Sequence, residues 1–140
     1  MTGTMEFTIK EEVPSVEDYI KIRIAAGLSR KSIEAASVGL RNSIYAITVI
    51  HSGKPIGLGR IIGDGGCFFQ IVDIAVVPEH QKKGVGNKIM TTLMNYIKQQ
   101  APSTAYVSLM ADHDTPSFYA KYGFEMSVPP TRAGMFLRIS

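Results

Sequence analysis

Ile74-Ala75-Val76-Val77-Pro78-Glu79-His80-Gln81-Lys82-Lys83-Gly84-Val85-Gly86-Asn87-Lys88 is the stretch that decides how this chain is read. A β-branched run stops at a proline, and a polar turn with Gln81, two lysines and two glycines leads straight into a helix. Val85, Ile89, Leu93 and Ile97 recur four apart, joined by Met90 and Met94 on the same face. That helix is expected to end near Gln100, because Pro102 disfavours the helical state for the residue before it. The first turn of a helix leaves backbone N–H groups without intrahelical acceptors, and the dipole places partial positive charge there. Gly84 and Gly86 let a bulky anion approach the backbone, and Lys82, Lys83 and Lys88 add full charges. These features point to a phosphate or pyrophosphate site.

Two familiar phosphate motifs fail on residues. The phosphate-loop NTPase pattern needs Gly-Lys-Ser/Thr, and Gly86 is followed by Asn87. The dinucleotide fingerprint needs a third glycine where this chain has Ile89. A glycine pair alone is a weak signal, since a turn with solvated lysines has the same letters.

Working outward, residues 6–9 read as a short strand. A helix with Tyr19, Ile20, Ile22, Ile24 and Ala25 stops at Gly27, and a second runs over 31–38, led by Ser29 or Ser32 and closed by Gly39. Between residues 42 and 77 the pattern changes to three strands, turned at Ser52-Gly53-Lys54 and Asp64-Gly65-Gly66, which makes an antiparallel meander. After the long helix come a strand over 105–110 and a short helix over 116–122. Thr115 is its expected N-cap, with Pro116 at the first position and Gly123 at the C-cap. Strands at 124–126 and 135–139 complete a mixed α/β sheet flanked by helices.

With 140 residues, the chain is expected to form a single domain over 1–140 with a real core. It is 45% apolar and 19% charged, which excludes a disordered or fibrous class. Fifteen Lys and Arg against twelve Asp and Glu give a net +3, too mild to announce a nucleic-acid binder. The single Cys67 excludes an internal disulfide framework and a cysteine-rich zinc site, and it reads as a small packing residue. No apolar run is long enough to span a membrane and the first residues show no secretion signal, so a cytoplasmic location is the default.

The chain resembles the GNAT superfamily of acyl-CoA-dependent N-acetyltransferases. Ile74-Ala75-Val76-Val77-Pro78 fits its strand signature, hydrophobic-x-Val-x-Pro. Gln81-Lys82-Lys83-Gly84-Val85-Gly86 fits Gln/Arg-x-x-Gly-x-Gly/Ala, and Phe118-Tyr119-Ala120-Lys121-Tyr122-Gly123-Phe124 fits the second signature. The element order agrees over nearly the whole chain. The resemblance implies a mostly antiparallel central sheet in which the strand at 74–76 splays from that at 105–110, leaving a gap that holds acyl-CoA. The backbone of Ile74, Ala75 and Val76 would pair with the pantetheine arm, whose amides satisfy edge-like N–H and C=O groups. The amides of the 82–88 turn would hold the pyrophosphate, and an N–H near Ile74 would face the acetyl oxygen.

By the same resemblance Tyr119 is the general acid, a role suited to a phenol with pKa of about 10 facing a thiolate with conjugate-acid pKa of about 8.5. Asp73, one residue before the pairing segment, is the first candidate for the base. His80, Asp112, His113 and Asp114 are further candidates, and a buried or turn-capping carboxylate is the other reading of Asp73. Many family members carry Asn where this chain has Asp112, and an ionised Asp cannot donate to the pantetheine.

The acceptor pocket would be lined by the two N-terminal helices and the meander, where Arg23, Ser29, Arg30, Arg41 and Arg60 lie. An inward-facing arginine could clamp a substrate carboxylate, while each taken singly reads more simply as a solvated charge. The expected partners are acetyl-CoA as co-substrate and a small amine such as an amino acid or polyamine, with no metal, nucleic acid or membrane. Antibiotics and protein N-termini or lysines stay open as acceptors, and so does a homodimer. A non-catalytic acyl-CoA sensor is the rival reading; it would not need Tyr119.

Overall fold

The computed structural model describes residues 6–111, 115–127 and 134–139. The described chain falls into two compact units, divided between Leu109 and Met110.

The first unit holds one five-stranded sheet in the order β1-β2-β3-β4-β5. Its strands are β1 (Thr8–Lys10), β2 (Tyr45–His51), β3 (Lys54–Gly63), β4 (Phe68–Val76) and β5 (Tyr106–Leu109). Neighbours from β1 to β4 are antiparallel and β4 with β5 is parallel, which is the mixed, mostly antiparallel architecture read from the sequence. Helices α1 (Val16–Ala25) and α2 (Ile33–Arg41) precede β2, and α3 (Val85–Gln100) links β4 to β5. Ser15 caps α1 by accepting the Asp18 amide at 3.1 Å, and Ser32, not Ser29, caps α2 through the Ala35 amide at 3.0 Å. Gly39 does not close α2. The helix runs through it to Arg41, because one glycine costs a helix only about 1 kcal/mol and the Gly39 carbonyl is bound by Arg60 Nη1 at 2.9 Å.

Side-chain alternation along β3 places the two cores. Leu58 joins Tyr19, Ile22, Ala36, Leu40 and Ala75 in a buried cluster under α1 and α2. Its neighbour Gly59 lies on the opposite face, where α3 sets down the fully buried Ile89 and Leu93. The sheet is thus covered on both faces. At Gly59 the helix comes so close that an added Cβ would lie 2.6 Å from Ile89 Cγ2 and 3.0 Å from both Ile74 Cδ1 and Leu93 Cδ1.

The β3–β4 turn is held by Asp64, whose Oδ1 accepts the amides of Gly66, Cys67 and Phe68 at 2.8, 2.9 and 3.0 Å. Those amides, Phe68 foremost, hold the Asp64 carboxyl below its usual range. Cys67 is exposed in this turn and is not a packing residue.

The second unit contains α4 (Pro116–Ala120). Thr115 occupies the cap position, but its side chain makes no capping bond. The strands expected at 124–126 and 135–139 are absent among the described residues: a strand needs a hydrogen-bonded partner, and those residues join no ladder.

Gly59→Ala should destabilise the fold by about 1–3 kcal/mol, since Ile89 Cγ2 sits on a branched carbon that cannot swing away from the new methyl. Urea unfolding measures it, with an unchanged midpoint as the contrary result.

Candidate active site

β5 pairs with β4 from Phe68↔Tyr106 to Ile71↔Leu109 and stops there, while β4 continues to Val76. Beyond Ile71 that side of β4 has no strand neighbour among the described residues. Of the splay expected between these two strands, the first unit shows the end of pairing at Ile71 and Leu109, where β5 itself stops. The Val77 N–H donates to the Ile56 carbonyl of β3 at 2.9 Å, so two-residue alternation turns the backbone groups of Val76 and Ile74 to the open side and those of Ala75 back to β3. The Val76 carbonyl is already bound there by Gln81 Nε2 at 2.8 Å. The Ile74 carbonyl, which shares a peptide with the β3-facing Ala75 N–H, is left on the open side.

Ile74 belongs to a β-bulge. Leu58 pairs with Ala75 and Arg60 with Val72, so Asp73 and Ile74 together oppose the single residue Gly59. Asp73 takes the left-handed conformation, with φ of 61°, which Asp tolerates better than most residues.

The Asp73 side chain is buried, with 5% of its surface exposed, and both oxygens are engaged. Oδ1 receives Arg23 Nη1, while Oδ2 receives Arg60 Nε at 2.7 Å and the Tyr19 hydroxyl at 2.9 Å. Each guanidinium is anchored on its other side. Arg23 donates to the Ser29 carbonyl (2.8 and 3.1 Å) and hydroxyl (3.1 Å), and Arg60 to the Gly39 carbonyl and Ser43 hydroxyl (2.9 Å each). Both also lie over the Tyr19 ring, at 5.8 and 5.6 Å from its centroid. Burial, and then the Asp73 charge and hydrogen bond, push the Tyr19 phenol above its ordinary value, so it remains a donor. Arg23 and Arg60 do face inward, as a clamp would, but the carboxylate they hold is the chain's own. Tyr19 was read from the sequence only as an apolar residue of a helix. The i, i+4 spacing of Tyr19 and Arg23 places both on one face, yet nothing local says that the face meets Asp73.

The chain then passes through a 3-10 turn at Pro78–His80 and reaches α3 with Lys82 at φ 62° and Gly84 at φ 83°. Gly84 is the helix N-cap in the left-handed conformation, makes no side-chain capping bond, and has no atom within 4 Å of where a Cβ would stand. The first turn of α3 holds no acidic residue, and Lys82, Lys83 and Lys88 are exposed around it. An anion fits this donor set of backbone amides, a helix dipole and ammonium groups. Gly86 is inside the helix, where its φ does not require glycine.

His80 packs its ring against His51 and Phe7, with centroids 4.9 and 5.8 Å away, and its Nδ1 is buried without a hydrogen-bond partner among the described residues. Tyr119 lies on α4, its ring edge-on to Phe118 at 5.1 Å. Asp112, His113 and Asp114 lie outside the described residues.

The chain matches the family model of the acetyltransferase (GNAT) domain over residues 25–137. A probable acetyltransferase of unknown function from meticillin-resistant Staphylococcus aureus superposes with a TM-score of 0.89 at 42% identity, over 96% of this chain and all of that one. An uncharacterized N-acetyltransferase, ycf52, of Pyropia yezoensis is 29% identical over 80% of this chain, which spans 65% of that relative's length. Glucosamine-6-phosphate N-acetyltransferase of Arabidopsis thaliana shares the fold, with a TM-score of 0.71 at 16% identity over 96% of this chain and 99% of that one. The chain belongs to the GNAT acetyltransferase family. No helix among the described residues is long and apolar enough to cross a membrane.

Burial of its ring, then His51 and Lys83, push His80 below the ordinary imidazole value against the opposing pull of Glu79. Just below that ordinary value the unfolded chain binds more protons than the native one, so native stability falls as pH drops. Between about pH 7 and about pH 5, the urea midpoint of the native chain should fall further than that of His80→Gln. Equal slopes would deny His80 this role.

Proposed function

We propose that this chain is an acetyl-CoA-dependent N-acetyltransferase that moves an acetyl group to the amine of a small molecule by direct attack in a ternary complex. The observation that carries this reading is the half-open edge of β4, which runs through a Gln81-clamped turn into the basic first turn of α3. It supplies in one continuous segment an unpaired strand edge for amides and a cationic helix start for a diphosphate.

Each residue has a part. Ile74 and Val76 offer backbone groups to the pantetheine amides, and Ala75 between them holds the strand to β3. Gln81 fixes the bend after Val76, and the segment Lys82, Lys83, Gly84, Val85, Gly86, Asn87 and Lys88 receives the pyrophosphate. Gly86 supports this part indirectly, because neither φ nor helix propensity accounts for a glycine there. When bound, acetyl-CoA supplies the acyl group as an activated thioester. The Ile74 N–H is assigned the donor to the acyl oxygen as charge develops on it. Tyr119 is assigned the acid on its motif and its phenol, which holds a proton at neutral pH and passes it to the departing sulfur. Asp112 keeps its family-based place beside the pantetheine as a proposal.

The base role first considered for Asp73 does not suit a closed carboxylate with both oxygens bound. An amine acceptor with pKa near 8 is about a tenth free at neutral pH and needs only water to take its proton. Among fold neighbours, the Arabidopsis enzyme is named for glucosamine-6-phosphate and an Escherichia coli enzyme for an alanine of ribosomal protein S18, so the small amine is our choice between two acceptor classes.

Thiol release from acetyl-CoA, followed against amino acids, polyamines, amino sugars and peptide N-termini, tests the acceptor class. Turnover confined to peptides would replace the small amine with a protein. Gly86→Ala should leave the melting temperature equal or higher and weaken CoA binding about tenfold by calorimetry, a loss of about 1.4 kcal/mol. Tyr119→Phe should lower kcat about a hundredfold with CoA affinity retained; undiminished kcat would remove the acid role.

A further inference from the structure

A carboxylate that the reaction does not consume sits one residue from the backbone that the reaction uses. Asp73 is the first residue of the bulge, and its left-handed φ of 61° is one that residues other than glycine adopt at a cost. Such a conformation persists only where its surroundings over-determine it. The surroundings are three donors from two separate elements: Tyr19 and Arg23 from α1, and Arg60 from β3. The two arginines are themselves tied to the segment after α1 and to α2 with its following turn, through Ser29, Gly39 and Ser43. All three charged side chains are buried, 5–9% exposed.

We propose that Asp73 is a positioning residue, whose carboxylate, gripped by Arg23, Arg60 and Tyr19, locks the β4 bulge and so fixes the direction in which Ile74 presents its backbone to the gap. This rests on the proposed acetyl-CoA reading for its catalytic consequence, though not for the lock itself. The lock fixes direction without touching the reacting atoms. A bulge free to relax would let the two-residue alternation slip, and Ile74 would lose its aim while the phosphate turn stayed whole. A misplacement of this kind, of about 1 Å, weakens turnover by up to about a hundredfold.

Tyr19→Phe separates this role from proton transfer, since it removes one donor to Asp73 and keeps the ring, the ion pairs and Asp73 itself. Arg60→Lys loosens the grip from the other side and keeps the charge, and Asp73→Asn keeps the shape. The expected result is a fall in kcat of about tenfold in Tyr19→Phe and more in Asp73→Asn. CoA affinity by calorimetry should stay within about twofold, because the phosphate turn is untouched, and the acid limb of the pH–rate profile should keep its position in all three. Amide exchange at Val72 and Ala75, which flank the bulge, should quicken in Tyr19→Phe and Arg60→Lys. Full kcat in both of these variants, or an acid limb that vanishes only in Asp73→Asn, would overturn the proposal in favour of a base. Unchanged exchange at the bulge would overturn the lock. Should the wild-type chain bind no CoA, the acetyl-transfer reading fails, and the exchange measurement still decides the lock.

Discussion

The arrangement depends on one buried carboxylate between two guanidiniums. Removing a charge from water costs several kcal/mol, and a buried pair recovers it only when geometry and further hydrogen bonds satisfy the remaining donors and acceptors. Around Asp73 many of them are satisfied: the arginines share it with a phenol and donate further N–H groups to two carbonyls and two hydroxyls. A well-packed apolar cluster would serve stability as well as this network does. What an apolar cluster would not supply is direction, because dispersion has no preferred angle and a guanidinium–carboxylate pair has one. The network therefore makes most sense at a place where the backbone has to leave the regular ladder and stay there.

The other half of the site depends on the reverse condition. At Gly84 the protein leaves space and withholds a side-chain cap, and the first turn of α3 carries no carboxylate. An ordinary helix start would be closed by Ser, Thr, Asp or Asn, as α1 and α2 are by Ser15 and Ser32. The contrast within one chain is informative: two helices start at a serine that accepts an amide of their own first turn, and the third starts at a left-handed glycine with no side-chain cap. At Gly59, by contrast, the absence of a side chain serves packing alone, since it lets α3 settle on the sheet opposite the bulge and brings the helix and the open edge of β4 together.

The glycine-containing turn before α3, the meander and α3 itself were legible in the sequence because their signals are local. Period-four apolar residues, Gly-rich turns and a proline after a β-branched run each act over a few residues. The boundary at Gly39 was misread for the same reason. Local propensity made the glycine a stop, and a distant arginine on its carbonyl, with the helix packed on the sheet, carried α2 past it. The strands expected at 124–126 and 135–139 rested on composition, and composition does not provide a pairing partner. Arg23 and Arg60 could be singled out by type, but their common target could not, since Asp73 lies fifty and thirteen residues away from them.

This division follows from how the two ends of such a site are built. Holding a diphosphate takes partial charges that the backbone supplies wherever a helix begins, so one short segment suffices and its motif can be read letter by letter. Orienting an acyl group takes a backbone amide fixed against its own preference, and a bulge in one strand cannot fix itself. It needs donors from elements far off in the chain, which here arrive from α1 and β3. The binding end of a site can therefore be spelled by a motif, while the aim of its reacting end is set by tertiary contacts, and variation in those contacts can retune turnover without altering a single letter of the motif.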